Sequence, residues 1–351
     1  MSSIASKTLH AMLSPVTTPW LADLLGAPVP DEGGTVAVRG CALTMRGGVL
    51  RAEEYLSTAQ RQTSDTFGFK WAKRETFEGA TLNYLQQWLL EKYGNVVEAP
   101  WLFATSDAPI LLDAGCGAAM SALAIFEPAL DRVRYLGVDV SAAVDVAKTR
   151  FEERGRAAAY MQADLNRLPL PENSVDLIFS EGVLHHTDDT GAALAAVVRH
   201  LKIGGRILFY VYRKKGPVRE FTDDFIRTKL QAMTPEQGWE AVMPLSKLGK
   251  VLGELNIEIE IPEAIELLDI PAGRIDLQRF FYWHVLKAFH RPEMSLDEMN
   301  NVNFDWYAPK NAHRHTVEDV RGWCERLSLT VEREHVQESG ISIIARKRSA
   351  P

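Results

Sequence analysis

Four acids stand at the ends of four short apolar runs. Asp113 follows Ile110-Leu111-Leu112, Asp139 closes Val133–Val138, Asp164 comes just after Ala157–Met161, and Glu181 ends Val175–Ser180. Between the first two lies the turn Gly115-Cys116-Gly117, and beyond it Ala118 to Ala124 turns helical. In open α/β sheets, a strand that breaks through glycines into a helix brings a ligand to the strand's carboxyl end. Glycine lets the backbone approach that ligand closely. Asp139 lies roughly 20 residues past the glycines, where a carboxylate takes the two ribose hydroxyls of a nucleotide. Alone, Gly-x-Gly is equally a tight strand-to-helix turn; the ordered carboxylates make it a candidate nucleotide site. A dinucleotide fingerprint would need a third glycine, and Met120 stands in its place. His185 and His186 follow the fourth strand directly, and histidine is the natural base near neutral pH.

The elements that must position these groups are alternating strands and helices. After the fourth run, Leu201 to Arg206 reads as helix end and glycine turn, and Ile207–Tyr212 as the fifth strand. The pieces at 113–117 (Asp-Ala-Gly-Cys-Gly), 137–141 (Gly-Val-Asp-Val-Ser), 163–165 (Ala-Asp-Leu), 179–186 and 201–205 (Leu-Lys-Ile-Gly-Gly) resemble the class I S-adenosylmethionine-dependent methyltransferases. The resemblance implies a Rossmann-like, doubly wound, seven-stranded α/β sheet with S-adenosylmethionine as cofactor. It gives Gly115, Cys116 and Gly117 the loop under the methionine part of the cofactor, and Asp113 the orientation of its amino group. Asp139 would accept from the ribose hydroxyls and Val140 would pack on adenine. Asp164 would take the adenine amino group, with Leu165 donating from its backbone. Glu181 and Gly182 would lie where the sulfonium passes. For Asp139 the competing role of helix N-cap is better filled by Ser141, and for Asp164 the competing role is that of a turn acid.

The composition narrows the class. A chain of 351 residues with 46% hydrophobic content builds a core and carries additions to it. A net charge of −7 argues against a nucleic-acid surface. No apolar stretch reaches membrane-spanning length and the N-terminus has no signal-peptide pattern, so a cytoplasmic location is expected. Cys41, Cys116 and Cys324 are too scattered for a disulfide framework or a zinc ribbon.

Five segments follow. Residues 1–57 read as a small irregular module with a helical turn at Leu21–Leu25 and β-like pieces such as Thr35–Val38. It is similar to the zinc-ribbon-like segment before some small-molecule methyltransferases, but the paired cysteines are missing, and packing or a homodimer contact suits it better. Residues 58–108 form a helical N-terminal lid and linker, with Phe67 and Trp71 able to cover the sulfonium or simply to join the segment to the core. Residues 109–212 are the cofactor-binding core. A mostly helical insertion, 213–315, follows strand five, with helices over 223–233, 235–255 and 276–289; such insertions are usually lids or binding elements. Residues 316–351 complete the core with a helix capped at Thr316 and strands at 329–336 and 341–346.

His186, and less strongly His185, are candidates for the base; a histidine here is equally a packing or positioning group. A second polar set, Asp305, Tyr307, His313 and His315, returns the chain from insertion to core and is expected to face the acceptor. A His-x-His pair with an acid can hold a metal, yet two histidines flanking Arg314 before a helix are more often hinge contacts, and no metal is expected. Lys215 and Arg219, with Arg213 and Lys214, either clamp an anionic group or form a solvated turn, and Phe280–His284 reads as core. The function expected is methyl transfer to a hydroxyl, amine or activated carbon of a small molecule, plausibly in secondary metabolism. The competing class is a protein or RNA methyltransferase, or a cofactor-binding regulator without catalysis.

Overall fold

The first strand of the core, β4 (Ile110–Ala114), is buried along its whole length, which is why its sequence is apolar without alternation. We obtained a computed structural model that describes residues 19–53 and 56–349. In it β4 pairs in parallel with β5 (Arg134–Asp139) on one side and β7 (Val175–Glu181) on the other. Strand β6 (Ala159–Gln162) continues beyond β5, and β8 (Leu201–Tyr212) beyond β7. The strand order therefore reverses at β4. In such sheets the crevice outside the carboxyl ends at the reversal is where a ligand binds, and Asp113, Asp139, Asp164 and Glu181 all stand along it. Helices fill both faces, so Leu112, Val138, Ile178 and Phe209 pack into one core layer, and Leu111, Tyr135, Phe179 and Leu208 into the other.

Strands β11 (Leu329–Val336) and β12 (Gly340–Lys347) close this side, with β12 antiparallel to β8. The helix before them, Val317–Arg326, starts with a capping box in which Thr316 and Asp319 satisfy each other's backbone N–H groups.

Three expectations need correction. The N-terminal segment is not separate from the sheet: among the described residues it adds three strands to the seven of the core, ten in all. Its helix α1 (Pro19–Leu25) packs Leu21, Leu24 and Leu25 into the core, and β1 (Thr35–Val38), β2 (Cys41–Arg46) and β3 (Val49–Ala52) form a meander. The meander joins β6 through Leu50↔Met161 and Arg51↔Gln162, so β6 is not an edge. The rest of the 1–57 module, residues 1–18 and 54–55, lies outside the described residues. Second, Gly204 and Gly205 do not separate helix from strand: β8 begins at Leu201 and the glycines form a bulge where the register with β7 jumps.

Third, the insertion is more varied than its periodicity implied. It contains α7 (Pro217–Leu230), α8 (Pro235–Glu254), a detached hairpin of β9 (Glu258–Ile261) and β10 (Gly273–Asp276), α9 (Leu277–His284) and α10 (Leu296–Tyr307). The last of these escaped notice because three asparagines dilute its helical pattern, although its capping box, Ser295 with Glu298, stood in the sequence. Ahead of the core, α2 (Thr58–Ala72) and α3 (Ala80–Tyr93) bridge core and insertion. No helix among the described residues is long and apolar enough to cross a membrane.

Candidate functional site

One cavity of about 810 Å³ opens over the carboxyl ends of β4, β5 and β7 and reaches up between α2, α3 and the insertion. Its floor is the glycine turn. Gly115 and Gly117 hold positive φ angles of 85° and 50°. A Cβ on Gly115 would sit 2.1 Å from Val183, and one on Gly117 would sit 2.9 Å from the Trp71 indole nitrogen. Protein packing above the turn therefore demands these glycines as strictly as a ligand would. Cys116 between them is buried, its thiol donates to the Gly117 carbonyl, and burial pushes that thiol up, so it is no nucleophile.

The core side of the wall is acidic. Asp113 is buried and accepts from the Tyr135 hydroxyl at 2.5 Å; burial raises its carboxyl to about 7 despite that bond. Half-buried Asp139 accepts from the Gly117 N–H at 2.8 Å through Oδ2, and from the Ser141 N–H and hydroxyl through Oδ1. The Ser141 hydroxyl in turn accepts from Ala143 at the head of the following helix. Asp164 holds Asn166 through Oδ1, and its Oδ2 has no partner among the described residues. Val140, Leu165, Glu181 and Gly182 complete this wall. Glu181 is clamped by the Lys92 ammonium and by the Tyr93 hydroxyl at 2.5 Å, both from the last turn of α3. Burial brings Lys92 down to about 8 in spite of Glu181, and its ammonium lies 3.6 Å from the Trp88 ring centre and 3.8 Å from that of Tyr210.

These residues fit S-adenosylmethionine. Oδ2 of Asp139 retains one lone pair and Oδ2 of Asp164 retains both, which suits ribose hydroxyls and an adenine amino group. At Gly182, with φ of 74°, a Cβ would meet nothing within 4 Å, so the backbone faces open space where the sulfonium end would lie.

Above the floor stand Phe67, Lys70 and Trp71, which share one face of α2, and His186 from the 3-10 turn Leu184–His186. His186 Nδ1 lies 2.6 Å from the Asn311 carbonyl, which only a protonated Nδ1 can satisfy. Nε2 is therefore the lone-pair nitrogen, and it has no partner. Burial lowers this imidazole to about 4, and Phe67 packs edge-on against it with ring centres 4.8 Å apart. Asp305 of α10 also lines the cavity, holding Lys70 through one oxygen and the Tyr212 hydroxyl, at 2.9 Å, through the other. Burial would raise that carboxyl, but the Lys70 charge, helped by His186 and Lys287, holds it well below the usual range.

The insertion contributes a basic and aromatic wall. Lys215, Arg219, Arg279, Lys287 and Arg291 line it together with Tyr282, Trp283 and Trp306. Of the four basic residues expected after β8, Lys215 and Arg219 reach the cavity, whereas Arg213 and Lys214 are exposed elsewhere. Tyr282 and Trp283, expected in the core, are wall.

Four expected catalytic residues do not line the cavity. His185 is buried beneath Tyr212, ring centres 3.7 Å apart, with neither nitrogen partnered. The Tyr307 hydroxyl accepts from the Lys287 N–H at 2.7 Å and donates to Asp223 at 2.9 Å, which fixes it as an internal brace. His313 bonds the Thr187 carbonyl at 3.0 Å and His315 the Thr190 hydroxyl at 2.9 Å, fastening the return strand to the β7 side of the core. These two therefore point away from Asp305, and among the described residues no cluster of three or more His, Cys, Asp or Glu side chains converges as metal ligands. The reason is local: His315 continues β8's neighbourhood by a parallel bridge to Arg213, which turns both histidines toward the sheet's flank.

Lys70, Lys92, Tyr93 and Lys287 were missed. Lys70 was readable, because a helix through Phe67 and Trp71 carries it on their face; Lys287 falls within the helix expected over 276–289, which instead ends at His284 and leaves Lys287 in an irregular loop.

Residues 112–209 match the methyltransferase-domain family. The chain is 30% identical over 172 residues to the uncharacterized methyltransferase YcgJ of Bacillus subtilis (strain 168), covering 47% of this chain and 67% of that protein. It is 31% identical over 138 residues to the malonyl-[acyl-carrier protein] O-methyltransferase of Serratia marcescens, covering 39% of this chain and about half, 49%, of the relative. Among solved structures, magnesium protoporphyrin IX methyltransferase from Synechocystis PCC 6803 with bound S-adenosylmethionine aligns with a TM-score of 0.43 and 12% identity over 84% of this chain and 100% of that one. With the switch-point cavity and its ordered acids, the methyltransferase-domain match and the likeness to YcgJ make the chain a member of the class I S-adenosylmethionine-dependent methyltransferases, an enzyme that uses S-adenosylmethionine.

Proposed function

We propose that this chain methylates a small molecule, at a hydroxyl, amine or activated carbon, inside the chamber between core and insertion. The observation that carries the reading is that the acid-tipped strand ends and the inserted helices line the same cavity. A chamber roofed by the chain's own segment 213–315 suits a ligand that can be enclosed, and a net charge of −7 disfavours a nucleic-acid acceptor. A cytoplasmic setting, a place in secondary metabolism and a homodimer belong to the same proposal, and the test below requires none of them.

When bound, S-adenosylmethionine supplies an electrophilic methyl group on a positively charged sulfur and leaves as S-adenosylhomocysteine. In this reading Asp139 accepts from the ribose, Asp164 and Leu165 take the adenine edge, and Val140 packs on its ring. Gly115, Cys116 and Gly117 pass beneath the methionine part, Asp113 orients its amino group, and Glu181 and Gly182 border the sulfur. Phe67 and Trp71 present aromatic faces to that cation. His186 receives the acceptor's proton on Nε2, its lone-pair nitrogen; its neutral form is the one that can do so. Segments 58–108 and 213–315 act as two lids that keep water out while acceptor and methyl group are aligned.

The test is methyl-labelled S-adenosylmethionine with fractionated cell extract. Label entering the fraction below about 1 kDa, a size matched to enclosed ligand pockets, supports the reading. Label confined to protein or RNA, or no transfer from any fraction, contradicts it.

A further inference from the structure

The inserted wall carries more positive charge than its carboxylates neutralise. Two buried acids lie there, and both are saturated. Asp223 accepts from Arg219 at 2.7 Å, from the Trp306 indole N–H at 2.7 Å and from Tyr307 at 2.9 Å. Asp305 is taken up by Lys70 and Tyr212. Two ammonium groups remain. Lys215 Nζ reaches only the backbone carbonyls of Glu338 and Ser339. Lys287 Nζ has no hydrogen-bond or ion-pair partner among the described residues, although the residue is only 6% exposed. Both stand over one indole, Lys287 at 5.0 Å and Lys215 at 5.6 Å from the Trp306 ring centre. Glu91 and Glu338, which also reach the cavity, are exposed at its rim.

Asp305 and Asp223 act on Lys287 only from beyond ion-pair distance; burying an ammonium with no carboxylate in contact is expensive, and a group so placed loses its proton or waits for a partner. Burial does depress both lysines, Lys287 to about 7. A fold that needed only a core here would place methionine or leucine, since replacing buried charge by apolar volume is commonly neutral or stabilising. The nearby rings of Tyr282, Trp283 and Trp306 supply apolar aromatic surface beside the two cations.

We propose that the acceptor is an aromatic small molecule bearing an anionic group such as a carboxylate, bedded on the aromatic wall with that group held by Lys215 and Lys287. This rests on the reading of the chamber as the acceptor site. It also divides the cavity by charge: the acidic wall of the core faces a cofactor with a cationic sulfur, and the basic wall faces the anion.

The probe is 2-naphthoate, compared with the isosteric neutral 2-naphthamide, titrated by calorimetry into the full-length protein with saturating S-adenosylhomocysteine. The expected result is at least tenfold tighter binding of the carboxylate. Lys287→Met and Lys215→Met should each reduce that preference to about threefold or less while leaving S-adenosylhomocysteine affinity unchanged. Thermal melting supplies a second readout: without ligand, Lys287→Met should melt at or above the wild-type temperature, and 2-naphthoate should raise the wild-type midpoint but not the variant's. Equal binding of acid and amide, no binding of either, or a preference that survives both substitutions overturns the anion site. Failure of S-adenosylhomocysteine to bind, with the naphthoate preference intact, would instead count against the methyltransferase chamber and leave the anion site standing.

Discussion

The two walls of the cavity are built on opposite terms. The core wall comes from strand ends in a parallel sheet, its acids spaced by the fold and fixed by short hydrogen bonds to neighbouring backbone, as Asp139 is by Gly117 and Ser141. The inserted wall comes from helices and a loop, its cations fixed by packing on aromatic rings as much as by ion pairs. In the proposed reading the first wall serves the adenosine and sulfonium of S-adenosylmethionine, and the second serves the acceptor.

The largest effect is expected where the walls meet. His186→Gln should lower methyl transfer to the identified acceptor by a factor of about 10² to 10⁴, the range for loss of a general base. Calorimetric affinity for S-adenosylhomocysteine should stay at the wild-type value. Turnover within a few fold of wild type across the pH range would reduce His186 to packing against Phe67.

On the core wall, Asp139→Ala removes charge-assisted hydrogen bonds worth about 1.5–3 kcal/mol, so S-adenosylhomocysteine should bind roughly ten- to a hundredfold more weakly. Because Asp139 also ties Gly117 to Ser141, circular dichroism must first show a folded variant. Unchanged affinity in a folded Asp139→Ala protein would detach the ribose from this acid.

That wall was legible because its signals are local. A glycine turn, an acid at a fixed distance and apolar runs of strand length can be read one at a time from Ile110 to Tyr212. The other wall depends on which residues of a long insertion face inward, and this is decided by tertiary packing. Tyr307 and His315 looked like pocket groups because they are polar and return toward the core, yet each finds a hydrogen-bond partner within the protein. Lys287 reads as the end of a helix over 276–289, but the helix stops at His284 and the loop beyond it turns Lys287 into the cavity. The N-terminal strands were similarly obscured: their turns were visible, but not the two-residue parallel pairing that attaches them to β6.

A smaller effect concerns stability and pH. Burial keeps the His186 imidazole neutral down to about 4, while the unfolded chain protonates it near 6.5. Between those values the unfolded state binds more protons, so this histidine's contribution to stability is fully present above about pH 6.5 and is lost as pH falls toward 4. Urea midpoints at pH 7, 5.5 and 4 should therefore decline less steeply in His186→Gln than in wild type. Parallel slopes would mean that His186 is already solvated in the folded protein.

The smallest effect should come from residues outside the walls. His313→Ala and His315→Ala each lose one hydrogen bond, about 0.5–1.5 kcal/mol of stability, with little change in acceptor kinetics. A loss of turnover exceeding tenfold in either, with normal folding, would return that histidine to the site.

The most direct measurement is a crystal structure of the protein with S-adenosylhomocysteine. The ribose hydroxyls are expected on Asp139, the adenine amino group at Asp164, and the sulfur beside Gly182, facing His186 and the segment 213–315. A sulfur turned away from that segment, or a ribose that does not touch Asp139, would contradict the division of one cavity between a cofactor wall and an acceptor wall.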